Sequence, residues 1–316
     1  MPKAMTLDDI EEIVELFKHA ARVVRKAGFD GLQLHGAHGF LLSQFLSPHT
    51  NRRTDDYGGS PENRMRLLRR LVTEIRAEHP VPFCLSVKLN SADYMDQGQG
   101  LQAEEGLGQV KWLIECGMVD FVEISGGNAE QKSSGLHNSF TKKTLDKAPE
   151  RKESTRLRES FFTDFAEKAM QLENKHYVPI QLSGGFRSRN GMADAIDNGA
   201  CHLIGLGRAS VLQPELPKEI ILNSNIPDDE AFAVSHQLKG LWLSKWFPIK
   251  AVGSGFGIQY FYYNMRRLGK GLGSDLHISI PNVLFANVVE TLQSGLSTTF
   301  WRVFQSFKPY GVKKVD

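Results

Sequence analysis

From residue 7 to residue 207, short apolar runs alternate with stretches whose apolar residues recur every three or four positions. This alternation limits the possible folds more than any single motif does. Ile10, Ile13, Val14, Phe17, Ala20, Ala21 and Val24 form one face of an opening helix. Thr6 with Asp9 starts it as a capping box, and Gly28 stops it. A strand is expected at 29–34, with Leu32 and Leu34 on one face and Gln33 and His35 on the other. Ser60-Pro61 begins the next helix as N-cap and first helical residue, with Leu67, Leu68, Leu71, Val72 and Ile75 as its stripe. Further strands are expected at 83–89, 120–124, 178–182 and 202–206. Helices fall between them at 103–116, around Phe161, Phe162, Phe165, Ala166 and Ala169, and through Ala193 and Ile196.

Strands separated by helices imply parallel βαβ units. Polar residues collect at the strand ends: His35 and His38, Lys88 and Asn90, Ser125-Gly126-Gly127, Ser183-Gly184-Gly185, and Gly207-Arg208. A doubly wound sheet gathers ligand groups at one switch point, whereas five contributing strand ends fit a barrel with its site on the C-terminal face. The expected fold is α/β, a partial TIM-type (β/α)8 barrel with five of the eight strands, plus a C-terminal helical extension. The barrel part covers residues 1–226 and the extension 227–316. The extension reads as a helix over 232–247, a Gly-rich aromatic stretch over 252–263 and a helix from Pro281. The strand at 30–34 is left as an edge, which invites pairing with another chain and offers a route to a homo-oligomer.

Bulk properties remove several function classes. The net charge of +2 gives no footprint for nucleic acid or a membrane surface, and 41% hydrophobic residues suit a globular core. The basic residues at 132–158 are interspersed with Asp146, Glu150 and Glu153 and read as a solvated loop. Cys84, Cys116 and Cys201 are scattered and lack metal spacing, which suggests reduced thiols. No apolar run reaches the roughly 20 residues that span a bilayer, so a cytoplasmic protein is expected.

His35-Gly-Ala-His38-Gly-Phe40 places two imidazoles three residues apart just past an apolar run. Taken alone, they read as structural histidines or as a metal pair still short of further ligands. Downstream, Asn51, Arg53, Asp55, Tyr57, Glu62, Asn63 and Arg64 read as a hydrogen-bonded loop and helix cap. Lys88 shares strand parity with Cys84 and Ser86, opposite Leu85, Val87 and Leu89, which aims it away from the helices.

Two pieces in order, His-x-x-His-Gly-aromatic and Asn-x-Arg-x-Asp-x-Tyr-Gly-Gly-Ser-x-Glu-Asn-Arg, resemble the old yellow enzyme family of flavin-dependent alkene reductases. The resemblance covers roughly residues 1–260. It implies FMN as cofactor, NADH or NADPH as reductant and a small enone-type substrate. By it, His35 and His38 hold the substrate's carbonyl or nitro oxygen while reduced flavin delivers hydride. Lys88 lies beside flavin N1, and Ser183, Gly184, Gly185, Gly207 and Arg208 grip the phosphate. Three further strands precede the matched part in the family, and their flavin contacts have no counterpart here. Phe40 stands where the family has a proton-donating tyrosine, and a phenyl ring has no proton to give. Three readings follow: an ene-reductase, an FMN-dependent isomerase whose enolate returns its hydride, or a truncated non-catalytic member.

Overall fold

A computed structural model describes residues 4–93, 100–125, 165–184, 186–234, 250–290 and 292. The glycines of Ser125-Gly126-Gly127, Gly185, the 132–158 run, Phe161, Phe162 and most of the helix expected over 232–247 lie outside them. Contacts divide the chain into two compact units, Met1–Gly207 with Pro217–Ala233, and Arg208–Leu216 with Val234–Asp316.

In the first unit, helix α1 (Leu7–Lys26) carries the expected capping box, with Thr6 and Asp9 each accepting the other's backbone N–H. Strand β1 (Gly31–Gly36) leads to a one-and-a-half-turn helix α2 (Leu41–Leu46) and then to α3 (Pro61–Glu78), capped by Ser60. There follow β2 (Cys84–Asn90), α4 (Ala103–Cys116), β3 (Phe121–Ser125), a helix α5 at 165–170, β4 (Ile180–Ser183), α6 (Arg189–Asp197) and β5 (Leu203–Gly205). The strands form one parallel sheet in the order β1-β2-β3-β4-β5. This is the α/β arrangement expected, and β1 and β5 do not pair with each other.

The sheet has two unlike faces. Leu34, Leu85, Val87, Leu89, Val122, Ile124, Ile180 and Leu182 pack in one core with Leu67, Leu71 and Ile75 of α3, Val110 and Leu113 of α4, and Ile10 and Val14 of α1. Each such side chain contributes about 1.5–3 kcal/mol through its removal from water. Alternation leaves Gln33, His35, Ser86, Lys88, Glu123, Ser125, Gln181 and Ser183 on the other face.

Three expectations change. β1 starts later and runs to Gly36, because ladder pairing continues beneath polar side chains: His35 pairs with Lys88 and Gly36 with Leu89. Phe232 is not helical but bridges Ser188, and the Ala233 N–H donates to the Arg187 carbonyl at 2.7 Å. The Gly-rich stretch at 252–263 is part of a long helix, α8 (Lys250–Gly269), in the second unit. Each interior glycine there costs up to about 1 kcal/mol. Burial of Tyr260 with Leu212 of α7 (Arg208–Leu212) and Val283 of the helix at 280–290, α9, offsets that cost. Asn264, fully buried, accepts the Asp275 N–H at 2.6 Å and pins the turn after α8.

Candidate functional site

Parallel pairing brings the C-terminal ends of β1, β2 and β3 side by side, and the motif residues of β1 lie there. His35 is the penultimate residue of β1, and the chain then turns through His38 at φ 63° and Gly39 at φ 77°. A left-handed conformation is costly for histidine and persists only when its surroundings hold it. Two buried polar residues do so. The His38 N–H donates to Asn90 Oδ1 at 3.2 Å, and its ring Nε2 lies 2.9 Å from Ser125 Oγ. Asn90 and Ser125 are register partners at the ends of β2 and β3. Behind them, buried Asp93 accepts from the Ser47 hydroxyl at 2.5 Å and from the Leu101 N–H at 2.9 Å.

The two imidazoles meet edge to face, with centroids 5.2 Å apart. Phe40, at the N-cap of α2, sets its ring 5.1 Å from His35 and remains 57% exposed. The structure thus brings His35, His38 and Phe40 together at one strand end, with the phenyl on the open side.

Lys88 points to the polar face, as its parity requires, and its Nζ pairs with Glu123 Oε1 at 2.6 Å. Burial pushes the Glu123 carboxyl up. The Lys88 ammonium, the Ser183 hydroxyl and the Gln33 amide outweigh that and hold it below the usual carboxylate range. Glu123 escaped the sequence reading. Its signal was an acid between Val122 and Ile124 in a strand that is otherwise core, since a buried acid calls for a cation nearby.

Ser183 ends β4, and its hydroxyl accepts from Gln181 Nε2 at 3.3 Å. Gly184 follows at φ 130°. Among the described residues, a Cβ at Gly184 or at Gly207 would meet nothing within 4 Å apart from its chain neighbours, so the backbone beside Ser183 and after β5 is open there. Such open backbone lets an anion approach the main chain, which fits a phosphate group. Arg208 opens α7 and belongs to the second unit. The connection from Asn51 to Arg64 is held by its polar side chains: Asn51 Nδ2 donates to the Phe45 and Tyr57 carbonyls at 2.7 Å each, and the Tyr57 hydroxyl accepts from Arg70 at 2.7 Å. Cys84, Cys116 and Cys201 are free thiols pushed up by burial. Among the described residues no group of three metal-ligating side chains converges, and no helix is long and apolar enough to cross a membrane.

Residues 1–228 match the NADH:flavin oxidoreductase / NADH oxidase family. The chain is similar to the NADH-dependent flavin oxidoreductase iliE of Neonectria sp. (strain DH2), 36% identical over 79% of this chain and 32% of that protein. It is similar also to the NADH-dependent flavin oxidoreductase iccE of Talaromyces variabilis, 35% identical over 85% of this chain and 62% of that protein. Among solved structures, a 2-naphthoyl-CoA reductase in complex with 2-naphthoyl-CoA superposes with a TM-score of 0.60 at 26% identity, covering 74% of this chain and 32% of that one. The chain thus spans from about a third to about three fifths of the length of these relatives.

Proposed function

The chain belongs to the NADH:flavin oxidoreductase / NADH oxidase family, and from that premise we propose that it binds FMN and passes reducing equivalents from NADH or NADPH to the C=C bond of an α,β-unsaturated carbonyl compound. The observation that carries this reading is the pair of imidazoles 5.2 Å apart at the end of β1, one of them held strained by two other strands. Two fixed donors on one oxygen stabilise the negative charge that develops there as the alkene accepts hydride. When bound, reduced FMN supplies that hydride. Lys88 on the same face supplies positive charge toward the ring, and the backbone around Ser183, Gly184 and Gly207 receives the phosphate.

Phe40 favours a second reading. Its ring packs on His35 where a proton donor to the α-carbon belongs, and it offers none. The oxygen is then polarised while the carbon beside it waits for a proton, and return of the hydride after bond rotation yields isomerisation.

The test is turnover of an enone with deuterium-labelled reduced nicotinamide by the FMN-loaded chain. Deuterium at the β-carbon of a saturated product is expected for reductase action. Isomerised substrate without saturation is expected for the second reading. A chain that takes up no FMN, or loses none of its turnover in His35→Ala and His38→Ala, defeats both.

A further inference from the structure

Glu123 interrupts an apolar strand. Its neighbours Val122 and Ile124 enter the core, while its own side chain is almost fully buried on the opposite face. Its register partners are Lys88 on β2 and Gln181 on β4. A carboxylate so placed is costly unless it is paired and supplied with donors. Lys88 Nζ supplies the cation at 2.6 Å, and the Ser183 hydroxyl and Gln33 amide supply two donors more. Side chains from three other strands thus converge on one acid. Of the pair, the acid is the more enclosed, with side-chain exposure of 8% against 20% for the lysine. The acid is thus the more fixed partner, and the lysine side chain is the one with surface left for a ligand on this face. A lysine stem is long and flexible, so without an anchor its charge has no fixed place. Lys88 is also the register partner of His35, which puts the aimed charge one strand from the imidazole pair.

We propose, resting on the FMN reading above, that Glu123 is the positioning residue for Lys88, and that the paired ammonium and carboxylate, rather than a lone lysine, set the reduction potential of the bound flavin. The carboxylate fixes where the ammonium points and offsets its charge. Neutralising Glu123 leaves the flavin facing an uncompensated cation, which favours the reduced, anionic ring.

The experiment measures the two-electron potential of FMN bound to the full chain at one fixed pH. Glu123→Gln is expected to shift the oxidised-to-reduced ratio tenfold or more toward reduced flavin, about 30 mV. Glu123→Asp, which keeps the charge, is expected to restore most of that shift. Lys88→Met is expected to move the potential the other way. A second readout needs no flavin: acetylation of Lys88 by acetic anhydride, followed by mass spectrometry, should run at least tenfold faster in Glu123→Gln. A brace for the fold alone would lower the unfolding midpoint in Glu123→Gln and leave the potential where it was. An FMN-loaded Glu123→Gln chain with unchanged potential therefore overturns this inference and leaves the cofactor reading standing. A native chain that takes up no FMN overturns the cofactor reading itself, and Lys88 acetylation unchanged in Glu123→Gln shows that Glu123 does not anchor the lysine.

Discussion

The connection from Ser47 to Arg64 and the polar face of the sheet are built from the same residue types and use them differently. In the connection, side chains bind main chain of the same stretch or of the helix just before it: Asn51 donates to the carbonyls of Phe45 and Tyr57, and Arg64 to those of Leu46 and Gly59. On the face, side chains reach across strands: His38 to Asn90 and Ser125, Lys88 to Glu123. A side chain that satisfies a nearby carbonyl shapes the backbone and belongs to the scaffold. A side chain held by another strand is aimed by the sheet, and it can change without unfolding the loop that carries it. The connection should therefore control stability and the face should control chemistry.

The largest effect expected on the scaffold side is that of Arg64→Ala. The guanidinium is buried, donates to Leu46 at 3.1 Å and to Gly59, and pairs with Glu105 at 2.6 Å. Its removal strands a half-buried carboxylate and two carbonyls, which costs about 3–5 kcal/mol. Urea unfolding measures this. A loss under about 1 kcal/mol would mean that the connection is held by packing and that the contrast with the face is false.

On the face, Phe40→Tyr should do the reverse. Phe40 is exposed, so stability should stay within about 0.5 kcal/mol. Net alkene reduction should rise about 10²-fold, because the new hydroxyl supplies the missing acid beside His35. Saturation by the native chain that is already fast, and unchanged in the variant, would show that another group delivers the proton.

The order of elements was legible because hydrophobic period and caps are local. Thr6 with Asp9, Ser60 with Pro61, and the stripe of α3 each announce themselves within a few residues. The partnership of Lys88 with Glu123 was not legible, since it depends on register between strands 35 residues apart in sequence. The strained backbone of His38 was hidden for the same reason: Asn90 and Ser125 explain it, and both lie on other strands. The stretch at 252–263 misled because glycine content speaks against a helix, whereas burial of Tyr260 and Asn264 one turn apart decides for it.

A smaller scaffold effect is expected of Asn51→Ala, which deletes both donors to the Phe45 and Tyr57 carbonyls. The expected cost is about 1–3 kcal/mol. Asn51→Asp keeps the acceptor for the Arg53 N–H and loses the donors, so it should recover little. Recovery of full stability by Asn51→Asp in a urea titration would assign the effect to that acceptor instead.

The smallest effect separates scaffold from face by pH. His79 is buried at the C-terminal cap of α3, with its Nδ1 3.3 Å from Arg25 Nη1. Burial first, and the Arg25 charge second, hold its imidazole below the ordinary value of 6.5. Above that value the folded and unfolded chains both carry it neutral, and its contribution to stability is complete. As the pH falls below 6.5, the unfolded chain binds a proton that the folded chain refuses, and stability declines through the lower folded pKa. One proton limits the slope to about 1.4 kcal/mol per pH unit. Glu123, also depressed, acts lower: its contribution is present above the ordinary 4.5 and is lost as the pH falls through the folded value beneath it. Unfolding midpoints taken between about pH 7.5 and about pH 5.5 should therefore fall in the native chain and stay nearly level in His79→Gln. The same series in Glu123→Gln should keep the native slope, because the acid on the face titrates outside that window. A slope that vanishes in Glu123→Gln and survives in His79→Gln would place the titrating group on the ligand face and dissolve the division between the two regions.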